Sequence, residues 1–217
     1  MAPQRVFQIG FNKCATTSLH KFFRENGYRA ISWSGCDRGE RDDVRAESIA
    51  VKALKNQQEG KLLFDGMDYQ VFSDMEWVTE DEAIYLYEKF ELIDQQYPGS
   101  KFILNTRSVE DWITSRCNHR DPWDGWYLRV QMKYYGKTAD QVKELWREHF
   151  YKHIHLVKAY FKDPSKQSQL LHFELKKTTA KDIVDFLPEW KFEHAELPHI
   201  HKTNWKRRVK TALKRIG

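Results

Sequence analysis

Lys13, Thr16, Thr17 and Ser18 are the residues whose types and spacing best suit the holding of an anion. They follow Gly10 in V-F-Q-I-G-F-N-K-C-A-T-T-S-L, where the apolar run Val6 to Ile9 gives way to a polar turn of small residues. From Thr17 onward, Leu19, Phe22 and Phe23 recur at helical spacing. A strand that passes through a tight loop into a helix N-terminus gathers unpaired backbone N–H groups and the positive end of the helix dipole at one spot. Lys13 adds a full charge there, three hydroxyls add donors, and the small residues Cys14 and Ala15 let an anion approach the backbone. An ordinary strand-to-helix turn needs a single Ser or Thr cap. A lysine with three consecutive hydroxyl residues exceeds that need, so phosphate or sulfate binding is expected here.

Arg107 closes a second apolar run, Lys101 to Thr106, and Ser115 lies eight residues further on, about two turns into the next helix. A planar guanidinium makes paired, charge-assisted hydrogen bonds to phosphate oxygens. The competing role for Arg107 is an ion pair with Glu110 or Asp111, which would leave Ser115 a bystander. A third candidate, Asp65, ends the run K-L-L-F-D, read as a buried strand.

These residues need a scaffold that alternates strands and helices. Strands are expected over Val6–Ile9, Tyr28–Trp33, Lys61–Asp65, Lys101–Thr106 and Gln169–Glu174. The first helix, Thr17 to Asn26, ends at Gly27, and Ser34 to Asp43 reads as a loop. Val44 to Gln58 reads as a helix closed by Gly60. Thr79 to Glu82 has the form of a capping box opening a helix that Pro98-Gly99 stops. Ser108 is an N-cap, a long helix runs from Thr138 to Phe161, and Thr179 with Asp182 frames a last capping box before Pro188. This alternation predicts a parallel, doubly wound α/β sheet flanked by helices, with ligands at the C-terminal strand ends. Gly10, Asp65 and Arg107 all meet that rule. Residues 117–165 form the helical, lid-like part of a single domain spanning 1–217, with Trp123, Trp126, Tyr127, Tyr134 and Tyr135 among charges.

With eight Trp, ten Tyr and thirteen Phe, and 41% hydrophobic residues, the chain has enough apolar mass for one core. No apolar run reaches the roughly 20 residues that cross a bilayer, and M-A-P-Q-R lacks the apolar core of a secretory signal. Cys14, Cys36 and Cys117 are odd in number and far apart, which argues for free thiols and a cytoplasmic home. Their spacing suits no metal site, so no metal is expected. A net charge of +5 suits a small polyanion and is no argument for nucleic acid.

The loop is a poor Walker A motif, because lysine comes three residues after Gly10, Ala15 replaces the second glycine and Thr16 stands where the Walker lysine belongs. It resembles instead the loop of sulfotransferases that use 3′-phosphoadenosine 5′-phosphosulfate (PAPS), G-x-x-[KR]-x-[GA]-T-T-[ST]-L, at Gly10, Lys13, Ala15, Thr16, Thr17, Ser18 and Leu19. Arg107 and Ser115 resemble the second signature of that family, an arginine at a strand end and a serine eight residues later that bind the 3′-phosphate. The resemblance implies a P-loop NTPase-like sulfotransferase fold and transfer of a sulfuryl group from PAPS to a hydroxyl or amine. It implies that Lys13, Cys14, Ala15, Thr16, Thr17 and Ser18 hold the 5′-phosphate and that Lys13 also neutralises the leaving group. The acceptor would be a small molecule or carbohydrate.

Glycosaminoglycan sulfotransferases end a strand in phenylalanine, a catalytic glutamate and lysine. Phe64-Asp65-Gly66 resembles this with two departures, which makes Asp65 the candidate base and leaves Asp68, Asp74 or a histidine as competitors. The G-x-x-G-x-x-K signature of cytosolic sulfotransferases is absent. Its contacts would fall to Lys202, Lys206, Arg207 or Arg208, while His199, His201 and Asn204 match a P-H-x-N-like segment only loosely. Two other readings compete. In a nucleotide-dependent kinase, Asp65 would hold Mg²⁺ at the end of a Walker B-like strand. In a non-catalytic nucleotide-binding module, the basic segment Lys202–Gly217 would dock nucleic acid or membrane.

Overall fold

The computed structural model describes residues 4–33, 48–119 and 125–198. Five parallel strands form the central sheet in the order β2-β3-β1-β6-β7: β1 (Val6–Gln8), β2 (Ala30–Ser32), β3 (Val71–Ser73), β6 (Lys101–Thr106) and β7 (Leu170–Glu174). Phe7 of β1 lies opposite Phe72 of β3 and Phe102 of β6. Side chains alternate across the sheet as the two-residue period requires. Val6 and Ile103 pack with Leu19, Phe22, Phe23 and Ile183, whereas Phe7, Phe102 and Leu104 pack with Ile93, Trp112 and Trp146. Both faces are thus covered, which is why the central strands are largely apolar.

Helices α1 (Thr16–Glu25) and α7 (Ala180–Phe186) cover the first face. Helices α2 (Ile49–Gln58), α3 (Phe90–Gln96), α4 (Val109–Cys117), α5 (Trp126–Tyr135) and α6 (Ala139–Tyr160) build the second. Thr138 opens α6 and Thr179 opens α7, each through a reciprocal capping box, the second as expected. Among the described residues no helix is long and apolar enough to cross a membrane.

Two expected elements are corrected. Lys61–Asp65 is a run of turns, and the strand beside β1 is Val71–Ser73. Apolar Leu63 and Phe64 are buried as expected of a strand, but their N–H groups go to the side chains of Gln96 and Tyr97. A helix from Thr79 is replaced by a hairpin, β4 (Glu76–Val78) with β5 (Ala83–Tyr85), followed by a 3₁₀ turn and α3. Thr79 Oγ1 accepts from the N–H groups of Asp81 and Glu82, as in a helix cap, while the Thr79 N–H returns to the Glu82 carbonyl at 2.7 Å and closes the hairpin. Ser48 is the N-cap of α2, and the expected start at Val44 lies outside the described residues. The Ser34–Asp43 loop, Trp123, and the segment with His199, His201, Lys202, Asn204, Lys206, Arg207 and Arg208 lie outside the described residues.

Candidate active site

The strand order fixes where a ligand fits. From β1 the chain moves to one side, towards β2, and from β6 it moves to the other, towards β7. The crevice at such a reversal, beyond the C-terminal ends of the two strands, is where open α/β sheets bind ligands. Residues 10–15 leave β1 at this crevice, and Arg107 leaves β6 there.

Close approach of β6 shapes the loop. A Cβ on Gly10 would come within 2.0 Å of the Asn105 carbonyl oxygen, so no side chain fits. Asn105, a polar residue inside an otherwise apolar strand, then organises the loop from below. Its Oδ1 accepts from Gly10 N–H at 3.2 Å, and its Nδ2 donates to the carbonyls of Phe11 (2.9 Å) and Cys14 (3.0 Å). With these carbonyls turned inward, the chain reaches α1 through left-handed conformations at Lys13 (φ 61°) and Ala15 (φ 67°). Such backbone costs roughly 1–3 kcal/mol per non-glycine residue and persists where the surroundings over-determine it. Helix α1 opens on Ala15, whose methyl group can cap nothing, so the first-turn amides have no side-chain acceptor. Thr16 is buried, Ser18 half-buried and Thr17 exposed on that first turn.

Arg107 reaches the same loop. Its Nη1 donates to the Lys13 carbonyl at 3.2 Å and its Nη2 lies 3.5 Å from Asp111, while its buried Nε has no hydrogen-bond partner. Of the two roles expected of it, the ion pair with Asp111 is formed, and the contact with the Lys13 carbonyl is one the sequence does not announce. Ser115 is half-buried on α4, two turns beyond. Lys13 Nζ lies 3.1 Å from His119 Nδ1; an ammonium can only donate, so this ring nitrogen accepts. Burial pushes the Cys14 thiol up to about 12, which leaves it protonated and unsuited to nucleophilic chemistry.

Asp65 does not join this group. It is exposed, and the turn that carries it is pinned to the opposite edge of the sheet. Phe64 N–H bonds Tyr97, which stacks on the Arg5 guanidinium just before β1 begins. Asp68, also exposed, pairs with Arg29 just before β2. On the crevice side, the chain leaving β3 carries the carboxylates Asp74, half-buried with φ 53°, and Glu76. Trp33 N–H donates to the Ser73 carbonyl at 3.1 Å beside them, and its ring stacks on Trp77 with centroids 5.9 Å apart.

Behind the loop stands a buried charge pair. Arg116, 1% exposed, lies over the rings of Trp112, Tyr127 and Trp146 at 4.6–4.7 Å, and its Nη2 is 3.8 Å from Glu76 Oε2. Burial works against its charge, but Tyr127 and Glu76 hold the guanidinium above its ordinary range. Glu76 Oε1 accepts from Asn12 Nδ2 in the loop and from Tyr127 OH at 2.8 Å, and Trp112 Nε1 donates to the Asn12 carbonyl at 3.1 Å. Sequence reasoning missed Asn12, Glu76, Asn105, Arg116, His119 and Tyr127 as parts of the site. Only Asn105 carried a readable signal, a polar residue within a buried run two positions before Arg107.

A family model described as a sulfotransferase domain matches residues 5–204. Comparison with curated proteins gives no significant match.

Proposed function

The chain belongs to the sulfotransferase family, and on that footing we propose that it transfers a sulfuryl group from PAPS to a hydroxyl or amine by in-line displacement. The observation that carries this reading is the Arg107–Lys13 hydrogen bond, which joins two motifs 94 residues apart at the crevice between β1 and β6. The site fits a bisphosphorylated nucleoside. The first turn of α1 has no side-chain cap, Arg107 keeps an unpartnered buried Nε, and Lys13 supplies a further cation.

The donor, when bound, supplies a sulfuryl group on a phosphate leaving group. The amides of Lys13, Cys14, Ala15 and Thr16, with the hydroxyls of Thr16, Thr17 and Ser18, would hold the 5′-phosphate. Arg107 and Ser115 would hold the 3′-phosphate. Lys13, tethered by His119, would place its ammonium where negative charge grows on the leaving oxygen. We assign the acceptor proton to Asp74 in preference to Asp65. Asp74 follows the strand beside β1 at the crevice edge, whereas Asp65 is at the far edge. The acceptor, a small molecule or carbohydrate, would lie against the aromatic side, where Trp33 and Trp77 stack near Asp74. Free Cys14 and Cys117 support a reducing, cytoplasmic setting.

Calorimetric titration with adenosine 3′,5′-bisphosphate, beside ATP with Mg²⁺, tests the reading. Metal-free binding of the bisphosphate is expected. Binding of ATP–Mg²⁺ alone would make the protein a kinase-like nucleotide binder and turn Asp74 into the candidate metal ligand. Bisphosphate binding without turnover on any acceptor would reduce it to a binding module.

A further inference from the structure

The buried Glu76 carboxylate is shared by two parts of the molecule with different duties. One is the anion loop, through Asn12, which immediately precedes Lys13. The other is helix α5, through Tyr127, on the side where the acceptor would enter. We propose that Glu76 is a positioning residue that couples these two parts, so that the loop is ordered only when α5 is seated against it.

Three features of the geometry support a coupling role over a merely structural one. First, Asn12 is clamped at both ends, its carbonyl by Trp112 of α4 and its amide by Glu76. Its orientation therefore sets the left-handed turn that begins at Lys13. Secondly, one oxygen of Glu76 accepts both Asn12 and Tyr127 while the other, buried, makes no hydrogen bond. Two donors on one acceptor oxygen constrain each other's direction, so loss of one relaxes the other. Thirdly, Arg116 binds the Tyr127 hydroxyl and faces Glu76, and it neighbours Ser115 on α4. A shift of Tyr127 is thus felt by both elements assigned to the donor's phosphates. A charge pair buried to this degree gains little net stability over apolar packing. Its best-attested use is to specify one arrangement of the surrounding elements. The naming of donor and acceptor sides rests on the sulfotransferase reading; the mechanical coupling does not.

Residue-resolved hydrogen exchange of the full chain, without nucleotide, tests the coupling and stands whichever nucleotide binds. Tyr127→Phe on α5 should speed exchange about tenfold at Gly10, Phe11 and Leu19, whose N–H groups bond Asn105 and Ala15 in and around the loop. Amides of β7 should not change. Asn12→Ala should produce the reciprocal effect, faster exchange within α5, as linkage requires. In the double variant the loop amides should exchange no faster than in Asn12→Ala alone. Unchanged loop exchange in Tyr127→Phe, or an Asn12→Ala effect confined to the loop, would overturn the proposal. So would effects that add in full, since general loosening of the core behaves that way. If Tyr127→Phe does not fold, the Asn12→Ala measurement decides alone.

Discussion

At the N-terminal edge of the sheet Arg29 meets Asp68 in water, with side chains 54% and 82% exposed. At the C-terminal edge Arg116 meets Glu76 with side chains 1% and 7% exposed. The two pairs match in charge and differ in almost everything else. An exposed pair is screened and contributes about 0–1 kcal/mol. A buried pair carries a desolvation cost comparable to its attraction, so it adds little net stability over apolar packing. Here Glu76 of the pair also accepts from Asn12 in the loop after β1, beside Lys13 and Arg107. Asp65 and Asp74 repeat the contrast as single carboxylates, one on an exposed turn and one at the crevice edge. Charge type is the same on both sides of each contrast; what differs is the edge of the sheet and the burial.

The sharpest way to break this contrast is to exchange the roles of the two aspartates. Asp74→Asn is expected to lower donor turnover by about 10²–10⁴-fold, the usual worth of a positioned base, whereas Asp65→Asn should leave it unchanged. Release of adenosine 3′,5′-bisphosphate in the presence of an acceptor measures both, and the opposite ranking would move the base to the N-terminal edge. Next in size is stability. Glu76→Ala strands a buried guanidinium and should cost about 3–5 kcal/mol, while Asp68→Ala should cost less than about 1 kcal/mol; urea unfolding of both variants gives the comparison directly.

Acid should act on the C-terminal edge as well. His153 donates to the Ile9 carbonyl at 2.6 Å, and burial lowers its pKa from 6.5 to about 4. Between those values the unfolded chain binds a proton that the folded chain refuses, so stability falls as pH drops from 6.5 towards 4. The loss is about 3 kcal/mol from this residue. Unfolding measured across that range should be flatter in His153→Gln, which keeps a donor near the Ile9 carbonyl; an unaltered slope would place the acid sensitivity elsewhere. The smallest effect separates the phosphates. Arg107→Ala removes charge-assisted hydrogen bonds worth about 1.5–3 kcal/mol. It should weaken adenosine 3′,5′-bisphosphate about 10–100-fold in calorimetry and adenosine 5′-monophosphate, which feels only the lost Lys13 carbonyl contact, far less. Equal weakening of both would remove Arg107 from the 3′-phosphate.

Elements governed by neighbouring residues were legible. The Lys101–Thr106 strand, the Ser108 cap, the helix start at Thr138 and the Thr179 capping box lie where the local pattern puts them. Thr79 shows the limit of that approach. Its hydroxyl makes the local bonds of a cap, yet Trp77 and Ile84 pair across a hairpin that no local signal distinguishes from a helix start. Lys61–Asp65 fails in the same way. An apolar run of this length is equally a strand or a buried turn, and the donors and acceptors that decide it lie on Asn56, Gln96 and Tyr97.

From the sequence alone came the alternating α/β order, the loop after Gly10 and the Arg107–Ser115 spacing, because each depends on residues within a few turns of one another. The tertiary structure alone decided which strand stands beside β1, and therefore which carboxylate reaches the crevice. It alone placed Asn105 under the loop and seated Arg116 on Glu76. Those contacts join residues tens of positions apart. Their partners are chosen by burial and by the need to satisfy every buried donor and charge, a condition on the whole packed chain that no short stretch contains.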